Sequence, residues 1–480
     1  MHAVLWEAME KMLLGIILGA REVRTVGCVE GLLILAEWVP HADASLSNIS
    51  HKGNGGLAGT EDTAAWTLVG LAVRQAYLLH LDKYAFRGDA SEVENANLHR
   101  KRLAWTFTYI ADRQISIRMG QAFWCRGPSL ATKFTASDFP TLQPQNAYED
   151  DYASVLQSQL ELTVLFGNIH DLLYASKPRT ISLMLQGDYT KYLDDSVQGL
   201  AAWKQNWNQL DVGAHLKLLL ELKYEYLRLY VHGFAFQAAM SRTPSTPPNH
   251  SGVKLTSRFP HGVLATPDGR HIMLGISAAK SVLTMLGHRI SPTRHLRYLG
   301  PRFYLYAIHC AVFLYKAASY GAIGTEGRND CVNIIQRYID NLGVAASCER
   351  HIAARHSALL TSLWIRKEAR DPPPNGEAVT TTTENTQPFT PDPPMPSMSD
   401  QATNSLTTPE PNNTQSYLPN FTGIMAPPPR YSIVPPESFV TGLYGTNQQF
   451  NEFDIYNFMD LGAYGEPDLR NLIQSVPFDE

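Results

Sequence analysis

The fold is decided by two neighbouring stretches, AAWTLVGLAVRQAYLLHLDKYAF at residues 64–86 and HRKRLAWTFTYIADRQISIRMGQAFWCRGPSL at residues 99–130. In the first, Trp66, Val69, Val73, Ala76 and His80 recur at three- and four-residue intervals, which is the period of a helix face. Arg74 and Gln75 leave that face. In the second, Leu98, Arg102, Trp105, Tyr109 and Asp112 share one stripe, and Leu103, Phe107 and Ile110 form the stripe beside it. Large side chains therefore occupy much of the circumference, so this helix, expected from about Ala96 to Ser116, is buried on several sides. Arg102 and Asp112 stand ten residues, or about 15 Å, apart along it. Each therefore needs a partner from elsewhere if buried.

Working outward, the same texture extends over the first 370 residues. Helices are expected at Ala3–Ala20, Val26–Val39, Tyr152–Ser176, Leu216–Met240, His271–Leu286 and Phe303–Ala318, with Trp203 and Trp207 one turn apart before Leu216–Met240. Pro40 ends the second helix. His41–Glu61, with glycines at Gly53, Gly55, Gly56 and Gly59, reads as a linker, after which Asp62 or Thr63 caps the next helix. No βαβ alternation and no internal repeat is visible. A chain whose first residue already lies inside a helical pattern raises the expectation of a missing upstream portion.

At residue 371 the composition changes. The last 110 residues hold 18 of the 30 prolines and carry 2 basic against 14 acidic residues, whereas residues 1–370 carry 38 basic against 31 acidic. The body is about +7 and the tail −12. A stretch this poor in apolar area does not offset the cost of ordering its backbone, so disorder is expected for 371–440. In the segment 441–480, Phe450, Phe453, Ile455, Tyr456, Phe458, Met459 and Leu461 are interleaved with Glu452, Asp454 and Asp460. That pattern is an acidic-aromatic activation segment, or else a strap that docks back onto the basic body. The expected architecture is thus all-α: one large multi-helical regulatory domain over 1–370 followed by a disordered, proline-rich, acidic tail.

Several functional classes are disfavoured. The five cysteines, Cys28, Cys125, Cys310, Cys331 and Cys348, are too scattered for a disulfide scaffold or any compact zinc pattern, so no metal or cofactor is expected in this chain. The apolar stretch Met12–Ala20 follows Glu7 and Glu10 and runs into Arg21, Glu22 and Arg24, unlike a secretory signal. Phe303–Ala318 contains His309 and Lys316 and falls short of the roughly 20 apolar residues that span a bilayer. Phosphate-cradling glycine motifs are absent. His80, His232 and His309 sit in apolar helical surroundings, as core histidines do, and Glu149, Asp150 and Asp151 precede a helix as capping groups rather than cation ligands. The basic run His99–Arg102 suits a solvated face as well as a phosphate contact, although its place at a helix N-terminus calls for partner charges. No acid, base and nucleophile are brought together, so no catalytic residue is assigned.

The two opening stretches resemble the paired signature helices of the middle homology region of fungal Zn2Cys6 transcription factors, the xylanolytic-activator type of regulatory domain. The first carries the resemblance in Trp66, Gly70, Ala72, Arg74 and His80; the second in Arg100, Arg102, Trp105, Tyr109, Asp112, Arg113, Ser116 and Gly120. LLILAEWVP before them and Trp203–Trp207 after them are similar to the flanking portions, so the likeness spans about residues 5–320. Two departures stand out. Gly120-Gln121-Ala122 replaces the Gly-Arg-Pro of many members, and the six-cysteine cluster that holds zinc and reads DNA does not occur in this sequence. Within the family the pattern is most similar to regulators of amino-acid catabolism, especially of aromatic amino acids.

The resemblance implies a nuclear regulator of RNA polymerase II transcription, with coactivators or corepressors as partners, a small-molecule inducer and a homodimeric state. DNA and zinc would be engaged only through a cluster outside this chain, and no membrane is involved. A clusterless corepressor or scaffold from the same family, and a helical enzyme or metabolite-binding protein, are the alternatives.

Overall fold

The computed structural model describes residues 2–39, 58–85, 96–126, 135–242, 259, 261–349 and 351–365. The proline-rich stretch, the acidic-aromatic segment and its seven apolar residues all lie outside them. Thirteen α-helices and no strand occur among the described residues. They are α1 His2–Leu18, α2 Val26–Glu37, α3 Ala58–Leu78, α4 Leu81–Ala85, α5 Ala96–Met119, α6 Tyr152–Leu173 and α7 Lys177–Gln186. There follow α8 Thr190–Trp207, α9 Ala214–Arg242, α10 Gly269–His288, α11 Pro301–Ser319, α12 Thr325–Ala345 and α13 Ile352–Trp364.

Local chemistry sets many of the ends. The Thr25 hydroxyl accepts from the Cys28 amide at 3.1 Å at the start of α2, and the Asp151 carboxylate accepts from the Ser154 amide at 2.9 Å at the start of α6. Of the acidic run at 149–151, Asp151 caps the helix as its position suggested, whereas Glu149 accepts from the Gln145 amide and Asp150 from the Gly213 amide. Pro178 and Pro301 occupy first-turn positions of α7 and α11, where a missing N–H costs nothing. Gly187 closes α7 in the left-handed region, at φ 83°.

The body has two hydrophobic cores. The first gathers Val29 and Leu32 of α2, Val69, Val73 and Ala76 of α3, Trp105, Tyr109 and Ile110 of α5, and Leu156 and Leu160 of α6. The second begins on the same α6 with Leu162, Ile169 and Leu173 and continues through α7–α13. α9 is its axle: an unbroken run from Tyr224 to Ala238 is buried apart from Arg228, against α10 on one side and α6, α7 and α8 on others. α11 is buried almost as completely, from Ala307 to Ala317. Since α5 and α6 each supply side chains to both cores, the two are joined through continuous helices rather than a linker.

The structure corrects several sequence expectations. α3 starts at Ala58, so Asp62 and Thr63 lie within the helix instead of capping it, and Asp62 pairs with Arg118. The same helix ends at Leu78, and His80 sits in the following turn at φ 55°, exposed. That turn breaks the register that placed His80 on the Trp66 stripe. Gln75 is buried and donates to the Ile16 carbonyl at 3.4 Å, because α1 packs on the side that Gln75 faces. Phe107 is exposed, no element among the described residues covering that part of α5.

Candidate functional site

The signature residues converge on the C-terminal half of α5 and the segment that follows it. α5 stops at a Schellman turn: the Gly120 amide donates to the Ile117 carbonyl at 3.2 Å and the Gln121 amide to the Ser116 carbonyl at 2.8 Å, with Gly120 at φ 61°. A glycine suffices there, so the turn forms without the proline of the family pattern. The chain then runs back beside the helix and is held by Asp112, whose carboxylate is fully buried. It accepts from the amides of Trp124 (3.2 Å) and Cys125 (2.8 Å), from Ser116 Oγ (3.2 Å) and from Arg113 (2.9 Å). Arg113 also donates to the Cys125 carbonyl at 2.8 Å, and its guanidinium lies over the rings of Tyr109 and Phe123 at 4.7 and 4.0 Å.

Trp124, delivered by this clasp, covers α3. Its indole lies 4.6 Å from that of Trp66, centroid to centroid, and sits so close to Gly70 that a Cβ there would overlap it. Trp105, on the same stripe of α5 as Asp112, meets Tyr77 edge-on at 5.2 Å. Trp66, Gly70, Trp105, Tyr109, Asp112, Arg113 and Gly120 are thus one assembly that sets α3 against α5. Arg102 works further along α5, donating to the carbonyls of Tyr84 (3.3 Å) and Asp138 (3.0 Å), the outside partners its burial requires. Arg74 and His80 are exposed and stand apart. Of the basic run, His99 and Arg102 are buried, while Arg100 makes a two-point pair with Glu30 (2.8 and 2.5 Å), whose carboxylate is the partner charge that this helix end called for. The Cys125 thiol is pushed far up by burial and by Asp112, which makes it a poor nucleophile.

Other residues of α3 and α5 line a cavity of about 220 Å³ at the seam between the two cores. Asp62, Ala65 and Val69 come from α3, and Ala111, Gln114 and Arg118 from α5. The second core contributes Tyr226 and Tyr230 of α9, Arg302 and Tyr306 of α11, and Arg355 of α13. Two ion pairs stand in its wall. Arg118 meets Asp62 at 2.8 Å, and Arg302 grips the Glu37 carboxylate of α2 at two points, one of them 2.9 Å, while also donating to Gln114. Gly300, just ahead of α11, has no side chain where the Glu37 carboxylate lies. Tyr226 and Tyr306 stack with centroids 3.7 Å apart and planes within 11°. Burial raises the phenols of Tyr226 and Tyr230 well above the usual tyrosine range, so both remain neutral donors.

Sequence reasoning missed Trp124 as a partner of Gly70, and missed Glu37, Asp62, Arg118 and Arg302 altogether as a group. Nothing local pointed to any of them. Among the described residues no group of three or more His, Cys, Asp or Glu is placed to hold a metal ion, and no helix is long and apolar enough to cross a membrane.

With this geometry in hand, the chain is similar to the transcription factor hmgR of Aspergillus fumigatus, at 22% identity over 404 residues. The aligned region covers 75% of this chain and 52% of that protein, so the chain spans about half the length of the relative it matches. No protein-family model and no solved structure matches the chain. The chain is a helical protein distantly and partially related to a fungal transcription factor.

Proposed function

We propose that this chain is the regulatory and activating portion of a fungal RNA polymerase II transcription factor of the Zn2Cys6 type, acting in the nucleus on catabolic genes. The observation that carries this reading is the similarity to a transcription factor across three quarters of the chain. The geometry supports it from the other side. The charged signature residues Arg102, Asp112 and Arg113 are spent on backbone amides, carbonyls and each other, so they build a scaffold and are not presented to a substrate. The helical body restrains or positions activation, and the tail segment 441–480 recruits coactivators through Phe450, Phe453, Ile455, Tyr456, Phe458, Met459 and Leu461. DNA contact and zinc belong to a cluster outside this sequence, and pairing of two copies would present two such clusters to a target.

The test is transfer of function. The full chain and, separately, residues 440–480 are fused to an unrelated DNA-binding domain in a fungal reporter strain. Both fusions are expected to activate, the isolated segment more strongly than the restrained full chain, and F453A/Y456A/F458A is expected to remove most of the signal from each. Silence of both unmodified fusions would defeat the proposal.

A further inference from the structure

We infer that α1 is the surface through which two copies of this chain pair, its outer side packing antiparallel on the same helix of the second copy about a two-fold axis between Gly15 and Ile16. Twelve of the 17 residues of α1 are apolar, yet over 7–18 only Ile16 is buried. The helix is seated by its inner side, where Leu13 and Ile16 join the first core and the Ile16 carbonyl accepts from Gln75. Its outer side is left apolar, with Leu14 57% exposed, Ile17 53% and Leu18 75%. A helix this apolar is ordinarily enclosed, and a contiguous exposed patch of large aliphatic side chains is a contact surface.

Spacing selects a helix as the cover. Glu7, Glu10, Leu14 and Ile17 succeed one another at steps of three, four and three, which is the seam of a helix pair, and Lys11 and Leu18 run along its edge.

Charge selects which helix. Glu7, Glu10 and Lys11 give the N-terminal part of α1 one net negative charge; Glu7 meets Lys11 at 3.0 Å, and Glu10 is exposed with no ion pair among the described residues. At the other end Gly19, at φ 71°, turns the chain into Arg21, Glu22 and Arg24, with one net positive charge. Arg24 is spent on the Gly19 carbonyl at 2.7 Å, whereas Arg21 is exposed with no ion pair among the described residues. The two ends of one copy are therefore complementary to each other in a second copy laid antiparallel. Centred between Gly15 and Ile16, that pairing sets Leu14 against Ile17 and Glu10 against Arg21, and the two-fold axis makes each match twice. A parallel pair would set Glu10 against Glu10. Other covers fit less well. The tail segment 441–480 brings Glu452, Asp454 and Asp460 to a helix that already carries Glu7 and Glu10, and an anionic lipid surface meets the same repulsion. The pairing stands on this geometry; only its use in presenting two DNA-reading clusters rests on the transcriptional reading.

Sedimentation equilibrium of the full chain provides the test, with circular dichroism to verify folding. The chain is expected to be a dimer at micromolar concentration. Leu14→Glu with Ile17→Glu, both at exposed positions, is expected to give a folded monomer. Glu10→Arg and Arg21→Glu, each placing like charges together twice, are each expected to weaken the dimer about tenfold or more, and the two combined to restore it. Should the Leu14 and Ile17 variant fail to fold, the charge series decides. The inference is overturned by a wild-type monomer throughout the micromolar range, by a dimer that survives the paired glutamates, or by charge reversals that neither weaken the dimer singly nor rescue it together. A chain that dimerises only as F453A/Y456A/F458A would assign the surface to the tail, and Leu14- and Ile17-dependent flotation with phosphatidylserine vesicles would assign it to a membrane; either result overturns the inference. Sedimentation needs no reporter, so failure of the pairing and failure of the transcriptional proposal are separate results.

Discussion

At Gly70 a single methyl group decides how α3 meets α5. An alanine in mid-helix is ordinarily about 1 kcal/mol more favourable than glycine, yet here its Cβ would run into the Trp124 indole. Trp124 is not at liberty to retreat, because its amide is held by Asp112 and its ring lies on Trp66. Gly70→Ala is therefore expected to destabilise by about 1–3 kcal/mol, the usual range for overpacking. In a Trp124→Ala background the obstacle is gone and only propensity remains, so the same change becomes neutral or stabilising. Urea unfolding of the four proteins of this double-mutant cycle measures the sign change. An unchanged effect of Gly70→Ala in the two backgrounds would show that Trp124 is not seated against the helix.

The two helices buried on nearly every side, α9 and α11, carry polar groups into the second core, and these make the core sensitive to acid. His309 of α11 shares a hydrogen bond with Tyr226 of α9 at 3.0 Å, and His232 of α9 faces His271 of α10 at 3.1 Å between their Nδ1 atoms. Burial lowers His309 and His232 to about 3, the neighbouring His271 adding to the effect on His232. Between pH 6.5 and 3 the unfolded chain thus binds protons that these folded imidazoles refuse. The stability they contribute is complete above the unfolded value near 6.5 and is lost as pH falls below it, with a limiting slope of about 1.4 kcal/mol per pH unit for each proton. His309→Gln, which keeps a polar partner for Tyr226, is expected to flatten the slope between pH 6.5 and 5 by up to one proton, read from urea midpoints across that range. An unchanged slope would mean that His309 is already protonated in the native state. The same helices explain what was legible from residues alone. α9 and α11 announce themselves as long apolar runs, and α3 and α5 as periodic ones. By contrast α8 buries only Leu193, Ser196, Leu200 and Trp203, and α12 a narrow stripe through Cys331, Ile335, Tyr338 and Leu342. Such helices are written mostly in polar residues, and their stripe acquires meaning only from the surface it covers. In the clasp, likewise, Asp112 could be placed on a face, but its partners at 124 and 125 depend on a turn whose direction local spacing does not give.

Glu37 and Arg302 are 265 residues apart, and no periodicity joins them; their pairing exists only because the first core packs against the second. That makes the pair a measure of how firmly the body acts as one unit. α5 and α6 already join the cores covalently by supplying side chains to each. The ion pair adds a lateral tie from the end of α2 to the start of α11, with Gln114 of α5 as a third member. Both charged side chains are about a fifth exposed, at 20% and 22%, so each keeps part of its hydration and the pair is worth less than a fully buried one. Removing one partner nevertheless leaves the other facing a half-dry seam. Glu37→Leu and Arg302→Met are each expected to cost about 1–3 kcal/mol, while the double variant, which strands no charge, should cost clearly less than their sum. Thermal unfolding adds a second reading. If the seam is what makes the two cores melt together, the single variants broaden or split the transition, and the double variant restores one sharp transition. Strict additivity together with unaltered transition width would mean that the cores are held together by α5 and α6 alone and that the seam contributes no coupling.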